Sequence, residues 1–345
     1  MDPTLRWGIL GTGTIARTFA EGLAKSRTGR LLAVASRTQE TADRFGNALG
    51  VPRRYGSYEA LLADAEVQAV YVATPHPMHA AWSIRAAEAR KHILCEKPLA
   101  MNWAEASAVV EAARRSDVFL MEAFMYRCHP QTARLVELVR SGAIGELRLI
   151  RASYGWNSDA GPESRLMNKA LGGGGILDIG CYTVSMVRLL AGAATGAAFA
   201  EPTDLAGFGH LGPTGVDEWA IAALKFPGDI VAQLATSLRA DIENSVEVLG
   251  SKGNILVPDP WLPSRAGGTS TILLRHKGSS QAEEIRVTTS DGLYTIEADT
   301  VAANLERRQA PPPAMSWDDS LGNMRTLDRW RAAIGLRYDA DGPNP

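Results

Sequence analysis

Six residues near the start of the chain constrain it most. Gly11-Thr12-Gly13-Thr14-Ile15-Ala16 follows the short apolar run 6–10 and opens a stretch in which Ile15, Phe19 and Leu23 recur every four residues. Strand, glycine turn and amphipathic helix in that order make the G-x-G-x-x-A form of the dinucleotide fingerprint. A first glycine permits the tight turn and a second lets backbone approach a pyrophosphate. A small third residue lets helix pack on strand, with backbone N–H groups aimed at the anion. A chain that begins this way is expected to build a parallel sheet covered by helices.

The pattern continues to Glu122. Strand-like runs at 31–36, 69–73, 92–96 and 118–122 alternate with helical segments, one of which opens at Asn102 with Glu105 at capping-box spacing. Beyond Phe124 the grammar changes. A helix over 131–140 ends at Ser141-Gly142, and runs at 147–154, 219–226, 230–238, 245–249 and 254–257 read as strands. The short turns Pro227-Gly228-Asp229 and Ser251-Lys252-Gly253 predict antiparallel pairing. Residues 265–268 and the run Pro311, Pro312, Pro313 read as loops, and 320–334 as a final helix. With 345 residues and a prior of roughly 150 per domain, two domains are predicted, 1–123 and 124–345.

Composition removes other classes of function. The 36 basic and 38 acidic residues leave a net charge of -2 with no cationic tract, so nucleic acid is not an expected partner. No apolar stretch is expected to reach the roughly 18 residues of a membrane span, and no signal peptide is expected ahead of the first strand. Cys95, Cys128 and Cys181 lie far apart, with no metal-ligand spacing, which fits a reducing, cytoplasmic setting.

Cofactor choice is read at the tip of the second strand, Ser36-Arg37-Thr38. An NAD site usually carries a carboxylate there for the ribose hydroxyls. None is present, and Arg37 offers a planar charged fork to a 2′-phosphate, with Ser36 and Thr38 as further donors. NADP is the expected cofactor; an Arg37 stacked on adenine would admit NAD as well. Two more loops should emerge at the carboxyl edge of the sheet beside it: Thr74-Pro75-His76, with His79 close behind, and Glu96-Lys97-Pro98. His76 and His79 are read as cofactor or substrate contacts and not as half of a metal site, because no third ligand lies nearby. In the second half, a glycine run at 172–175 precedes Asp178 and Tyr182, which share a face if the stretch is helical, and the glycines are expected to let it approach a ligand.

Together, the GTGTIA of residues 11–16, the EKP of residues 96–98 and the GGGILDIGCY of residues 173–182 resemble the Gfo/Idh/MocA oxidoreductase family. The segment MEAFMYRCHPQ at 121–131 is similar to the branch holding dimeric dihydrodiol dehydrogenase and NADP-dependent D-xylose dehydrogenase. The resemblance implies a Rossmann domain and an α/β domain with a large open, predominantly antiparallel sheet that mediates homo-oligomer contact. It also implies hydride transfer between nicotinamide and a CH–OH carbon of a sugar, polyol or cyclic diol, in a cleft between the domains. Lys97, Asp178 and Tyr182 are the motif residues, with Tyr182 as acid/base. A neighbouring ammonium such as Lys97 would favour the phenolate. From position alone Arg127, Trp156, Asn157 and Arg165 are candidate substrate contacts, and Arg127 and His129 could equally serve domain packing. Two alternatives stand beside this reading: an enzyme that retains and recycles its cofactor through a transient sugar oxidation, and a sugar-sensing regulator that binds dinucleotide without turnover.

Overall fold

A computed structural model describes residues 4–342, which divide into two compact units. Of the described residues, the first holds 4–100, 104–128 and 291–320; the second holds 101–103, 129–290 and 321–342. The predicted break at 123/124 is therefore not a single cut. Residues 291–320 return to the first unit, a long-range packing that no local pattern announces.

Six strands form the first sheet: β1 Leu5–Leu10, β2 Gly29–Ala35, β3 Arg53–Tyr55, β4 Ala69–Val72, β5 His92–Glu96 and β6 Leu120–Ala123. All pair in parallel in the order β3-β2-β1-β4-β5-β6. This doubly wound order places the strand reversal at β1 and β4, the position where such sheets take ligands at their carboxyl ends. The helix Thr14–Leu23 buries Ala16, Phe19, Ala20 and Leu23, whereas Ile15 is only half-buried. The buried stripe runs at i, i+3, i+4 and i+7, so two alanines carry part of the face assigned to Ile15. Phe19 stacks on Tyr71 of β4 at 3.9 Å and meets Trp7 of β1 edge-on at 5.4 Å, which locks helix to sheet. Full burial of a side chain such as Phe19 or Leu23 contributes about 1.5–3 kcal/mol.

The second unit opens with the helix Pro130–Arg140, which has proline at its first position and the His129 side chain accepting from Gln131 N–H. Burial holds His129 down at about 4, so its ring is neutral and free to accept that bond. Eight strands follow: β7 Leu147–Gly155, β8 Asp204–Leu211, β9 Asp217–Phe226, β10 Ile230–Ser237, β11 Val246–Gly250, β12 Gly253–Val257, β13 Gly268–His276 and β14 Glu283–Thr289. Their order is β14-β13-β12-β11-β7-β10-β9-β8. Every pair is antiparallel except β7 with β10, whose connection carries the helix Cys181–Ala194 onto the sheet. The sequence left β3, β8, β13 and β14 unassigned, and β13 begins at Gly268, a position read as loop. Along β9, Ala220, Ala222, Leu224 and Phe226 point into the core, while Trp219 and Ile221 point outward.

Contrary to expectation, one segment is long and apolar enough to cross a membrane. Lys169–Ala194 has 26 residues and contains an 18-residue window of mean hydropathy 1.4, but that window is wholly buried within the protein, as for any core helix. The three cysteines are free.

Candidate active site

In the first unit, Gly11 has φ +112°, and a Cβ there would stand 2.6 Å from Ala73 O, so both conformation and space require glycine. Gly13 is different: a Cβ would meet nothing within 4 Å. The space beyond it belongs to no part of the described chain. Gly13 is also the N-cap of the helix Thr14–Leu23, with no side-chain cap and no acidic residue in its first turn. The N–H groups of Thr14, Ile15 and Ala16 thus lack the usual side-chain acceptor, at the positive end of a helix dipole. Ala16 is fully buried, as a small residue against the strand should be. A dinucleotide pyrophosphate fits this cradle.

The neighbouring loops are tied to one another. Ser36 is buried, with its hydroxyl 3.4 Å from Thr12 Oγ1; Arg37 is exposed at the strand tip. Thr38, read as a cofactor donor, instead caps the helix Gln39–Leu49 by accepting from Thr41 N–H. The Thr74 hydroxyl is buried with no partner among the described residues, which makes it a donor held ready for a ligand. Pro75 precedes the short turn His76–Met78. His79 is 1% exposed and lies between Pro98 O at 2.7 Å and Thr74 O at 2.8 Å, so it straps the two loops together with both ring nitrogens occupied. His76 is buried beside it, ring centroids 5.5 Å apart.

Lys97 follows β5 on a loop anchored at both ends. The Glu96 carboxylate, expected as a cofactor contact, accepts from the Tyr71 hydroxyl and, at 3.2 Å, from Lys97 N–H, and so anchors the loop. On the far side Leu99 N–H donates to Glu122 Oε1 at 2.8 Å. Glu122 is buried among Leu99, Val110, Leu120, Met121, Met315 and Trp317, and burial pushes its carboxyl up to about 7. Arg127, a substrate candidate from sequence, is placed instead in a buried ion pair with Asp319 at 2.6 Å and donates to Pro313 O at 2.5 Å. Its charge is spent on packing.

In the second unit Asp178 lies in the one-turn π-helix Ile176–Gly180, directly before the helix Cys181–Ala194 that begins with Tyr182 as its second residue. The segment, for which the sequence left helicity open, is helical, and its first turn is wider than an α-turn, a feature that recurs at functional sites. Asp178 is 4% exposed and paired with Arg165 at 3.0 Å; the Arg165 side chain is 44% exposed, so one end of the pair faces solvent. Tyr182 is 5% exposed in an aromatic frame, edge-on to Tyr154 at 5.3 Å and to Trp261 at 6.0 Å. Tyr154 stacks on Trp261 at 5.5 Å, and the Trp261 indole donates to Ser153 O at 2.9 Å. This frame fixes the phenol ring. Trp156 packs with Tyr154 against the cluster of Met167, Ile179, Val216 and Leu238, while Asn157 is exposed with its N–H bonded to Asp241.

A family model described as an oxidoreductase family with NAD-binding Rossmann fold matches residues 5–124, and its C-terminal domain model matches 132–256. The chain belongs to the Gfo/Idh/MocA oxidoreductase family. It is 38% identical over 263 residues to a trans-1,2-dihydrobenzene-1,2-diol dehydrogenase of Danio rerio, covering 75% of this chain and 76% of the relative. Its fold is similar to that of an aldose-aldose oxidoreductase from Caulobacter crescentus (TM-score 0.85, 26% identity, 96% and 98% of the two chains). A 3-ketoreductase from Actinomadura kijaniata, solved with NADP and TDP-benzene, is similar at TM-score 0.84 and 27% identity over the same shares.

For a Gfo/Idh/MocA oxidoreductase the residues that motif reading missed are the supporting ones: Tyr71 and Glu122 behind the Lys97 loop, Tyr154 and Trp261 around Tyr182, and Asp217 of β9. Asp217 is fully buried, and its Oδ2 accepts from Ile176 N–H at 2.7 Å. Each partner lies 22 or more residues away in sequence, so no local spacing marks it. The glycine run also needs correction. A Cβ on Gly173 would lie 2.7 Å from the carbonyls of Arg165 and Leu166, and one on Gly175 would lie 2.5 Å from Thr236 Oγ1. Gly174 has φ +112° and faces Asp217 Oδ1. These glycines admit protein neighbours, not a ligand.

Proposed function

We propose that this oxidoreductase prefers NADP and passes a hydride between nicotinamide and a CH–OH carbon of a sugar, polyol or cyclic diol, with Tyr182 moving the proton. The observation that carries the reading is Tyr182 itself: one phenol held by Tyr154 and Trp261, one turn beyond a buried carboxylate whose arginine partner is half in solvent. When bound, the nicotinamide supplies the hydride acceptor or donor. The open cradle at Gly13 and the Thr74 hydroxyl would hold it, and Arg37, with no carboxylate beside it at the tip of β2, would bind the 2′-phosphate that distinguishes NADP.

On the alcohol side the chain must take up the hydroxyl proton during oxidation and return it during reduction. A tyrosine does both. Lys97, on a loop anchored by Glu96 and Glu122, is the motif lysine of the first unit, and in the second Asp178 with Arg165 would orient hydroxyl groups of the substrate. Names of the relatives, a diol dehydrogenase and two sugar oxidoreductases, support the substrate class. The outward apolar residues Phe208, Trp219, Ile221 and Val231 of β8, β9 and β10 support a homo-oligomer formed through this sheet. Three free thiols fit a cytoplasmic enzyme.

The test is a spectrophotometric screen of pentoses, hexoses, anhydrosugars and diols with NADP and NAD, repeated on Tyr182→Phe. Loss of the general acid/base should lower turnover about 10²- to 10⁴-fold and flatten the alkaline rise of the oxidation rate, with NADP affinity unchanged. A Phe variant that keeps its turnover and pH profile excludes Tyr182 from proton transfer.

A further inference from the structure

Asp217 opens β9, is 0% exposed, and reaches across to the start of a different element. Its Oδ2 accepts from Ile176 N–H at 2.7 Å, while its Oδ1 is buried with no hydrogen-bond partner among the described residues. Ile176 is the first residue of the π-turn that carries Asp178 and runs straight into Tyr182. The helix has no side-chain cap of its own at Gly175, and Asp217 supplies the acceptor for its first N–H. Three further contacts hold the same turn. The Tyr338 hydroxyl donates to Gly173 O, the Thr236 hydroxyl lies beside Gly175, and Asp178 N–H donates to Gly174 O at 3.2 Å. Behind Tyr338, Arg331 stacks on the ring at 5.2 Å and pairs with Asp328 and Asp341. The glycines at 174 and 175 leave the room in which Asp217 and Thr236 sit.

We propose that Asp217 is a positioning residue: a remote N-cap, supplied by β9, that fixes the turn bearing Asp178 and thereby the placement of Tyr182. The inference rests on Tyr182 being the proton-transfer group. A buried carboxylate is an expensive way to satisfy the Ile176 N–H; burial pushes it up to about 7, and the backbone N–H groups around it and Arg331 oppose that rise. A water or a local serine would satisfy the same donors at lower cost, so the carboxylate serves to hold this turn in one place.

Asp217→Asn keeps the shape and an oxygen for Ile176 N–H but replaces the charged acceptor of that bond with a weaker neutral one. The expected result is NADP affinity within about twofold of wild type, a substrate KM within about threefold, and a kcat lower by about 10- to 100-fold. Because Asp217 acts only through Tyr182, Asp217→Asn should cost little further turnover when added to Tyr182→Phe. Full multiplication of the two losses, or an unchanged kcat in the single variant, overturns the proposal. Gly175→Ala keeps the Asp217 side chain, perturbs the same turn from the Thr236 side with its methyl 3.2 Å from Asp217 Oδ2, and decides the matter if Asp217→Asn does not fold. Its methyl would press on the Thr236 hydroxyl, so it should lower kcat selectively, and Thr236→Ala should restore it. Near-UV circular dichroism of the Tyr154–Tyr182–Trp261 cluster separates the two readings. If wild type oxidises no sugar or diol, the proposed function fails, whereas a near-UV spectrum unchanged in Asp217→Asn and Gly175→Ala refutes the cap itself.

Discussion

Glu122 ties the Lys97 loop to the core, and it does so with a group whose protonation the fold has displaced. Its carboxyl moves from an ordinary 4.5 to about 7, chiefly through burial and further through Asp319, while Ser320, Leu99 N–H and Arg127 oppose the rise. The folded state therefore holds the proton more tightly than the unfolded chain. Stability from this group is complete below pH 4.5, is lost as pH rises from 4.5 to about 7, and is level above that. At about 1.36 kcal/mol for each pH unit, that interval is worth roughly 3 kcal/mol. Glu122→Gln retains an oxygen for Leu99 N–H and removes the titration. Urea unfolding of both proteins from pH 4.5 to 8.5 should give similar stabilities at the acid end and a variant more stable by up to roughly 3 kcal/mol at the alkaline end. A difference between variant and wild type that stays flat across that range would show that Glu122 does not titrate between the two states, and the burial argument would fall.

Lys97→Met keeps the apolar stem and removes the ammonium, so turnover should fall by at least about 10²-fold with little change in melting temperature; near-normal turnover removes Lys97 from the chemistry. Arg37→Asp should weaken NADP roughly 10- to 100-fold, the worth of a charge-assisted contact, while NAD binding holds or improves. Equal use of both cofactors by wild type would refute the role given to Arg37.

The first unit was legible because its structure is local. The turn at Gly11, the strands at 69–73 and 92–96 and the helix opening at Thr14 each follow from residues within one window, and the observed β5 coincides with its predicted run. Legibility failed where partners are distant or where a strand buries neither face. β14, Glu283–Thr289, is exposed or half-buried throughout, so no alternation marks it, and β8 contains two glycines that read as turn. The return of residues 291–320 to the first unit depends on contacts such as Thr295 Oγ1 donating to Gly22 O at 2.8 Å, which no periodicity encodes. At the site the same division holds. Arg127 and Thr38 have polar side chains that the fold places in an ion pair and a helix cap, and composition cannot tell those uses from ligand contact.

The two glycine clusters make the physical distinction plain. At Gly13 a side chain would enter open space beside bare helix N–H groups, so the residue matters for what comes from outside the chain. At Gly173, Gly174 and Gly175 a side chain would strike carbonyls, the Asp217 carboxylate and the Thr236 hydroxyl, so those residues matter for what the chain itself brings in. Alanine at Gly13 costs packing nothing and burdens only an incoming ligand. At Gly175 it moves a turn whose far end is Tyr182. The first cluster thus shapes a binding surface, whereas the second sets the position of a side chain through strands β9 and β10. On the proposed function, proton transfer at Tyr182 then depends on residues such as Asp217 and Thr236, which are held within the protein itself.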